Sequence, residues 1–266
     1  MKLTVRGKEA YAYTGGKPFD PSLPTLAFVH GALNDHSVWT LLARWAAHHG
    51  FGVLAVDLPG HMRSAGPALT SVEAMADWLL ALLDAAGVKQ AALAGHSLGS
   101  LVALEAAARA PDRATRLLMF GTAVPMPVSA ALLEASREVP HKAIDMVVTY
   151  SFSTLAAKPS YPGPGVWLRG SARGLMHQVL THGGDPLLLH TDFVACNGYA
   201  GGLAAAERVR CASHLILGSF DQMTPPRSTR DIAVALKATL HLVPAGHFVM
   251  QESPDPVLNA MRKALA

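Results

Sequence analysis

The stretch AGHSLGS, residues Ala94–Ser100, places one serine between two glycines. An apolar run precedes it and an alanine-rich run follows it. Glycine lacks a Cβ atom and adopts backbone conformations that other residues avoid. The pattern therefore has two interpretations. It is either a tight turn of small residues between a strand and a helix, or a turn that holds Ser97 in a strained conformation as a nucleophile.

Short apolar runs of strand length alternate along the chain with longer helical patterns. The runs do not alternate polar and apolar residues, which is typical of strands covered on both faces. They are Thr25–His30, Gly52–Asp57, Ala91–Gly95, Arg116–Gly121 and His214–Gly218. One amphipathic pattern between them opens with Ser71 and closes with Gly87, as a capped helix does. This order predicts an α/β fold with a mostly parallel central sheet and helices on both faces.

The alternation stops between residues 124 and 203, where the patterns are helical or loop-like. Asp185 and Pro186 in this segment are typical of an N-cap and a first helical residue. We therefore predict a core made of residues 1–123 and 204–266, with residues 124–203 inserted as a helical cap, or lid.

Composition narrows the classes of partner and cofactor. The formal net charge is +3 over 266 residues, only 15% of residues are charged, and the basic ones are scattered. This favours a small-molecule substrate and gives no basis for binding nucleic acid or an anionic membrane. The 13 histidines never recur at a spacing of four, and no Cys-x-x-Cys occurs. We therefore expect neither a metal nor a cofactor.

The cysteines and the hydropathy pattern suggest a compartment. Cys196 and Cys211 are the only cysteines and are expected to be free thiols. Residues 1–16 alternate polar and apolar residues like a pair of strands, and they lack the apolar segment of a secretory leader. Pro125 and Pro127 interrupt the longest uncharged stretch, which argues against a membrane span. We expect a cytoplasmic monomer or homodimer.

Three residues that could act together follow three different predicted strands. Ser97 follows Ala91–Gly95, Asp221 follows His214–Gly218, and His247 follows the strand-like ATLHLV, residues 238–243. The carboxyl ends of parallel strands meet at one edge of a sheet. A serine hydroxyl needs a nearby base, a histidine can supply it, and a carboxylate can orient that histidine. The order Ser, Asp, His along the chain matches the α/β-hydrolase arrangement.

The chain resembles the α/β-hydrolase superfamily, of the lidded esterase, lactonase and carbon–carbon hydrolase type. The likeness runs nearly end to end, through FVHGALNDHSVW (28–39), VLAVDLPGHMRS (53–64), LAGHSLGS (93–100), ILGSFDQMTPP (216–226) and PAGHF (244–248). It implies that the glycines beside Ser97 make room for a strained elbow. It also implies an oxyanion hole built from the backbone N–H groups of Leu98 and Ala32. Met62 stands where the family usually has glycine, which puts that local turn in question.

Other residues are candidates for the substrate pocket or for structural roles. Six apolar or aromatic side chains could line an acyl pocket, although such residues are more often packing: Trp39, Met126, Tyr161, Trp167, Phe193 and Tyr199. His30, His61 and His96 are expected to be structural.

These residues predict a serine hydrolase that cleaves a small or medium carboxylic ester, lactone or thioester through an acyl-enzyme on Ser97. Two alternatives remain open at this point. The same fold could carry out carbon–carbon bond hydrolysis, perhydrolysis or lyase chemistry, or it could be a receptor that binds a ligand without turnover. A serine at position 97 argues against epoxide-hydrolase or dehalogenase chemistry, for which the resemblance would require an aspartate.

Overall fold

The computed structural model describes residues 1–153 and 167–266. Its eight strands are β1 (Lys2–Val5), β2 (Lys8–Tyr13), β3 (Thr25–Val29), β4 (Gly52–Val56), β5 (Ala91–His96), β6 (Ala114–Phe120), β7 (Ala212–Gly218) and β8 (Thr239–Val243). The helices among these residues are α1 (Thr40–Ala47), α2 (Val72–Ala85), α3 (Leu98–Arg109), α4 (Ala130–Glu138), α5 (Pro140–Ser151), α6 (Leu168–Gly183), α7 (Leu188–Gly198), α8 (Gly202–Ala206), α9 (Arg230–Ala235), α10 (Val249–Glu252) and α11 (Pro254–Leu265).

The strands form one sheet in the order β1-β2-β4-β3-β5-β6-β7-β8. From β4 to β8 every neighbouring pair is parallel, whereas β1, β2 and β4 pair antiparallel. The prediction of a mostly parallel sheet is therefore confirmed, and the alternating N-terminal residues form its antiparallel edge. The strand β8 lies at the opposite edge.

Two apolar layers cover the sheet, one on each face. Leu93 of β5 points into the layer that holds α2 and α3, while its neighbours Ala92 and Ala94 point into the layer that holds α1 and α11. All six residues of β5 are buried. Burial on both faces explains why the central strands are continuous apolar runs in the sequence.

The predicted helix ends agree with the structure in two places and fail in a third. The Ser71 hydroxyl accepts a hydrogen bond from the N–H of Ala74 at the start of α2, and Gly87, with φ 72°, follows the end of the same helix. Helix α7, however, begins at Leu188 rather than at Pro186. The Asp185 carboxylate accepts from the N–H of Leu187 at 2.9 Å, so it closes a turn before the helix instead of capping it.

Between β6 and β7 the described residues form the five helices α4 to α8 and no strand. Helices α4 to α7 bury a third apolar cluster against Leu33 and Phe248, which belong to loops at the carboxyl edge of the sheet. The cap of residues 124–203 thus remains a prediction. None of the helices in the described part of the chain is long and apolar enough to cross a membrane. Cys196 and Cys211 are free thiols.

The turn from β5 into α3 brings backbone atoms into unusually close contact. Ser97, between these two elements, has φ 52° and ψ −121°, a conformation that costs a non-glycine residue about 1–3 kcal/mol. A Cβ atom on Gly95 would overlap the carbonyl group of Gly99, and one on Gly99 would overlap the carbonyl oxygen of Val29. The two glycines are therefore required by the packing of α3 against β5 and β3.

Replacement of Gly95 by alanine tests this packing. We expect Gly95→Ala to lower the free energy of unfolding by about 3 kcal/mol or more, because backbone atoms of α3 would have to move. Urea denaturation measures the change. Gly174→Ala in α6 is the matched control, since nothing lies within 4 Å of its added Cβ atom and alanine favours a helix. A loss no larger for Gly95→Ala than for Gly174→Ala would contradict the packing argument.

Candidate active site

The three predicted catalytic residues follow the carboxyl ends of β5, β7 and β8. Ser97 and His247 line the same cavity above the sheet, and Asp221 is hydrogen bonded to His247 from behind. Asp221 and His247 are both 4% exposed. The fold thus brings together three residues that are distant in the sequence, from position 97 to position 247.

The Asp221 carboxylate is fixed by four donors. One oxygen, Oδ2, lies 2.9 Å from Nδ1 of His247 and accepts the Thr224 hydroxyl at 2.7 Å. The other oxygen, Oδ1, accepts the backbone N–H groups of Met223 and Thr224, each at 2.8 Å. Burial by itself would raise the pKa of Asp221, but the charge of His247 and these hydrogen bonds lower it to about 2. Asp221 is therefore ionised at neutral pH and holds Nδ1 of the imidazole as a donor.

Thr224 was not predicted from the sequence. Its hydroxyl lies 3.1 Å from Nδ1 of His247 while it donates to Asp221, so it braces the pair from a third side. The spacing Asp221-x-x-Thr224, in which a carboxylate accepts from the backbone two and three residues ahead, is the signal that could have identified it.

His247 is also held through its backbone. Its N–H donates to the carbonyl of Ser151 at the end of α5, at 2.6 Å. The preceding residue, Gly246, donates to the buried Glu252 carboxylate, which also accepts from Ser153. Helix α5 therefore fixes the loop that carries the imidazole. In the described residues no hydrogen bond joins the Ser97 hydroxyl to His247, so their pairing stays a prediction.

The two N–H groups assigned to the oxyanion hole have no protein acceptor among the described residues. Leu98 is the first residue of α3, so its N–H points out of the helix start, where the helix dipole favours negative charge. Ala32 lines the cavity together with Ser97. Free donors beside the hydroxyl are what an oxyanion requires.

The cavity beside Ser97 has a volume of about 250 Å³. Its described lining contains no aspartate, glutamate, lysine or arginine. Its apolar side chains come from the helical segment and from the loop after β7: Met126, Val128, Leu132, Met146, Phe193 and Met223. Such a cavity suits a small, uncharged, apolar group.

Of the six side chains predicted to line a pocket, Met126 and Phe193 line this cavity. Trp39 does not, because it packs inside the core with its ring 4.9 Å from Phe28 and 5.1 Å from Phe120. Tyr199 does not either, since it is buried and its hydroxyl donates to Glu105 at 2.7 Å.

The last two of the predicted pocket residues are Trp167 and Tyr161. Trp167 stands before α6, 57% exposed, away from this lining. Tyr161 lies outside the described residues. Sequence reasoning missed Leu132 of α4, Met146 of α5 and Met223 of the loop after β7, because an apolar residue type alone does not separate cavity lining from core.

The nearby histidines act through hydrogen bonds. Nε2 of His30 accepts from the N–H of Leu58 at 3.0 Å, and His96 lies 2.9 Å from the carbonyl of His247. Burial lowers the pKa of each to about 3, so both are neutral. Met62 has φ 39°, a left-handed conformation that glycine adopts more readily than methionine does.

One group of side chains has the composition of a metal site. Donor atoms of Asp35, His36 and Asp57 lie within 4.8 Å of one another. Asp57 already accepts from the N–H and Nδ1 of His36, and Asp35 accepts from the N–H and hydroxyl of Ser37. These hydrogen bonds account for the burial of both carboxylates without an ion.

Comparison with known proteins gives the chain a family. The sequence profile of the alpha/beta hydrolase family matches residues 26–260. The pimeloyl-[acyl-carrier protein] methyl ester esterase of Chromobacterium violaceum is 29% identical over 217 residues, which cover 80% of this chain and 82% of that protein. The putative non-heme haloperoxidase of Mycobacterium phage D29 is 34% identical over 99 residues, but the match covers only 37% of this chain and 36% of that protein.

Solved structures show the same fold. The crystal structure of the enol-lactonase from Burkholderia xenovorans LB400 superposes with a TM-score of 0.86 and 20% identity, covering 100% of this chain and 99% of that one. At this level of identity the likeness establishes the fold alone.

The buried Asp221–His247 pair makes stability depend on pH. Because folding lowers the pKa of Asp221 from 3.8 to about 2, its contribution is complete above pH 5 and is lost as the pH falls toward 2. Between pH 5 and 2.5 the wild-type protein should lose about 1.5 kcal/mol of unfolding free energy that Asp221→Asn does not lose. Urea denaturation across this range measures the difference. Asp231→Asn, at an exposed carboxylate of α9, should follow the wild type; parallel curves for all three proteins would refute the coupling.

Proposed function

The chain belongs to the alpha/beta hydrolase family, and from this premise we propose that it is a serine hydrolase of small or medium carboxylic esters, lactones or thioesters. The observation that carries the proposal is the Asp221–His247 hydrogen bond at 2.9 Å beside a cavity that Ser97 also lines. Its related proteins include esterases, a lipase and an enol-lactonase, which support hydrolysis but not one substrate.

In the proposed mechanism Ser97 is the nucleophile. Its Oγ attacks the substrate carbonyl while Nε2 of His247 takes the hydroxyl proton, and Asp221 stabilises the resulting imidazolium. The carbonyl oxygen becomes an oxyanion that accepts from the N–H groups of Leu98 and Ala32, each of which contributes about 2.7–4 kcal/mol to lowering the barrier. When the tetrahedral intermediate collapses, the carbon–oxygen or carbon–sulfur bond breaks and His247 returns the proton to the leaving group.

Water completes the cycle. His247 takes a proton from a water molecule, the hydroxide adds to the acyl-enzyme carbonyl, and the second oxyanion uses the same two N–H groups. Collapse releases the carboxylic acid, and the Ser97 oxygen regains its proton from His247. No step in this sequence requires a group other than substrate, water and the residues named.

We further propose that residues 124–203 act as a cap that sets substrate preference. The support is that Leu132 of α4, Met146 of α5 and Phe193 of α7 all line the cavity, whereas the core supplies Ser97 and His247. A volume of about 250 Å³ lies below the range of about 300–1,000 Å³ of sites for drug-sized ligands. Both observations favour a short, uncharged acyl group.

Ser97→Ala tests the nucleophile. We expect it to abolish hydrolysis of p-nitrophenyl butyrate and to prevent labelling by a fluorophosphonate, because both reactions form a bond to the Ser97 oxygen in the proposed mechanism. Steady-state kinetics and mass spectrometry of the labelled peptide measure the two effects. Ser171→Ala, an exposed serine on α6, should keep both. Hydrolysis that persists in Ser97→Ala would contradict the mechanism. Tight retention of a ligand by the wild-type protein without turnover would favour a receptor instead.

Phe193→Ala tests the cavity. Removing the ring should make room for about two more methylenes of the octanoyl chain, and each buried methylene is worth about 0.8 kcal/mol. The ratio of kcat/KM for p-nitrophenyl octanoate to that for the butyrate should therefore rise by roughly tenfold. The control is Val194→Ala, at the next position of α7, whose side chain is 46% exposed and lies outside the cavity lining. A ratio within twofold of the wild type would count against the cap as a specificity element.

A further inference from the structure

A buried carboxylate of helix α7 reaches the loop that carries the proposed oxyanion donor. Oδ2 of Asp192 accepts the backbone N–H of Leu33 at 2.8 Å and lies 3.0 Å from Nε2 of His61. Asp192 and Leu33 are 0% exposed, and His61 is 1% exposed. The contact therefore joins the helical segment, the loop after β3 and the loop after β4 at one atom.

The loop after β3 needs such support. Leu33 has φ 49°, a left-handed conformation that is unfavourable for a branched side chain. The peptide group between Ala32 and Leu33 is held at both ends, because Asn34 donates to the Ala32 carbonyl at 2.9 Å while Asp192 accepts the Leu33 N–H. The torsions that place this peptide group also orient the N–H of Ala32, which is the donor in question.

The pairing with His61 makes Asp192 an effective acceptor. Nδ1 of His61 lies 3.2 Å from the carbonyl of Pro59, so both ring nitrogens face acceptors. Burial by itself would lower the pKa of His61, but the negative charge of Asp192 and these two contacts raise it. The contact with Nε2 of His61 and the hydrogen bond from the N–H of Leu33 together fix the position of Oδ2.

The buried Asp192 carboxylate does not favour the stability of the fold. The other oxygen, Oδ1 of Asp192, has no hydrogen-bond partner among the described residues. A buried carboxylate with an unpaired oxygen costs free energy, and an apolar side chain of similar size would avoid that cost. This points to a role in the geometry of the neighbouring loop rather than in the packing of α7.

We propose that Asp192 is a positioning residue for the oxyanion hole, one that fixes the Ala32–Leu33 backbone from the helical cap. The proposal rests on the proposed hydrolase function. Because Phe193, the next residue, lines the cavity, the same turn of α7 contacts the substrate space on one side and fixes the loop on the other. Acyl-group binding against Phe193 and orientation of the Ala32 N–H are therefore mechanically linked.

The test compares Asp192→Ala with the wild type on p-nitrophenyl butyrate. A donor misplaced by about 1 Å can cost up to about 100-fold in rate, so we expect kcat to fall by about 10- to 100-fold with KM within about threefold. A trifluoromethyl ketone, whose adduct with the Ser97 oxygen carries an oxyanion, should bind weaker by a similar factor. This inhibitor reports on the oxyanion hole directly and would not respond to a purely structural role.

Two further variants complete the design. Ser136→Ala removes a buried hydroxyl of α4 that lies 3.0 Å from Nδ1 of His190. His190, like Asp192, belongs to α7, and the substitution should leave kcat and inhibitor binding unchanged. Asp192→Asn keeps an oxygen for the Leu33 N–H but loses the charge, so it should recover most of the lost kcat. If Asp192→Ala does not fold, Asp192→Asn tests the proposal in its place. Its expected loss is about two- to fivefold in both kcat and inhibitor affinity.

The outcomes separate this proposal from the broader one. An active wild type with a folded Asp192→Ala whose kcat and inhibitor affinity stay within twofold would overturn the positioning role and leave the hydrolase intact. An equal loss in Ser136→Ala would overturn it as well, since the effect would then come from α7 as a whole. A wild type that neither turns over esters nor reacts at Ser97 would instead overturn the proposed function.

Discussion

The site depends on how closely α3 approaches the sheet. The carbonyl oxygens of Val29 and Gly99 occupy the space where side chains at Gly99 and Gly95 would begin, so the helix can start directly above the ends of β3 and β5. That approach forces Ser97 to φ 52°, which turns its hydroxyl away from the sheet and leaves the N–H of Leu98 beside it. The strain is compensated by the surrounding core, since every residue of β5 and nearly every residue of α3 is buried.

Much of this fold could be predicted because each local signal agreed with the global one. Continuous apolar runs indicated doubly covered strands, Ser71 indicated a cap, and polar residues after three of the runs indicated one functional edge. The prediction that failed concerned the start of one helix, α7. Asp185 and Pro186 have the residue types of a helix start, yet the Asp185 carboxylate accepts from the N–H of Leu187 in a turn that precedes α7. The path of the surrounding backbone decides between a cap and a turn at such a position.

The side chains of the site were predicted unevenly for a physical reason. Ser97, Asp221 and His247 are polar residues at strand ends, where a purely structural role is uncommon. The cavity lining is apolar, and apolar residues of helices look alike whether they face a core or a cavity. Trp39 illustrates this, because its ring fills the core between Phe28 and Phe120. The Thr224 hydroxyl contacts the side chains of Asp221 and His247, and Asp192 accepts from the backbone N–H of Leu33. For such contacts the sequence holds only weak signals or none.

The position of β8 has a consequence for how the protein would lose function. This strand is held by one ladder of hydrogen bonds, to β7, whereas β5 is held by two. Edge elements open locally at a lower free energy than central ones. His247 follows the edge strand and Ser97 follows the central one, so mild heating would release His247 while Ser97 is still in place. Loss of the proposed activity would then precede global melting, and rapid cooling would restore it, since only the edge of the sheet has to close again.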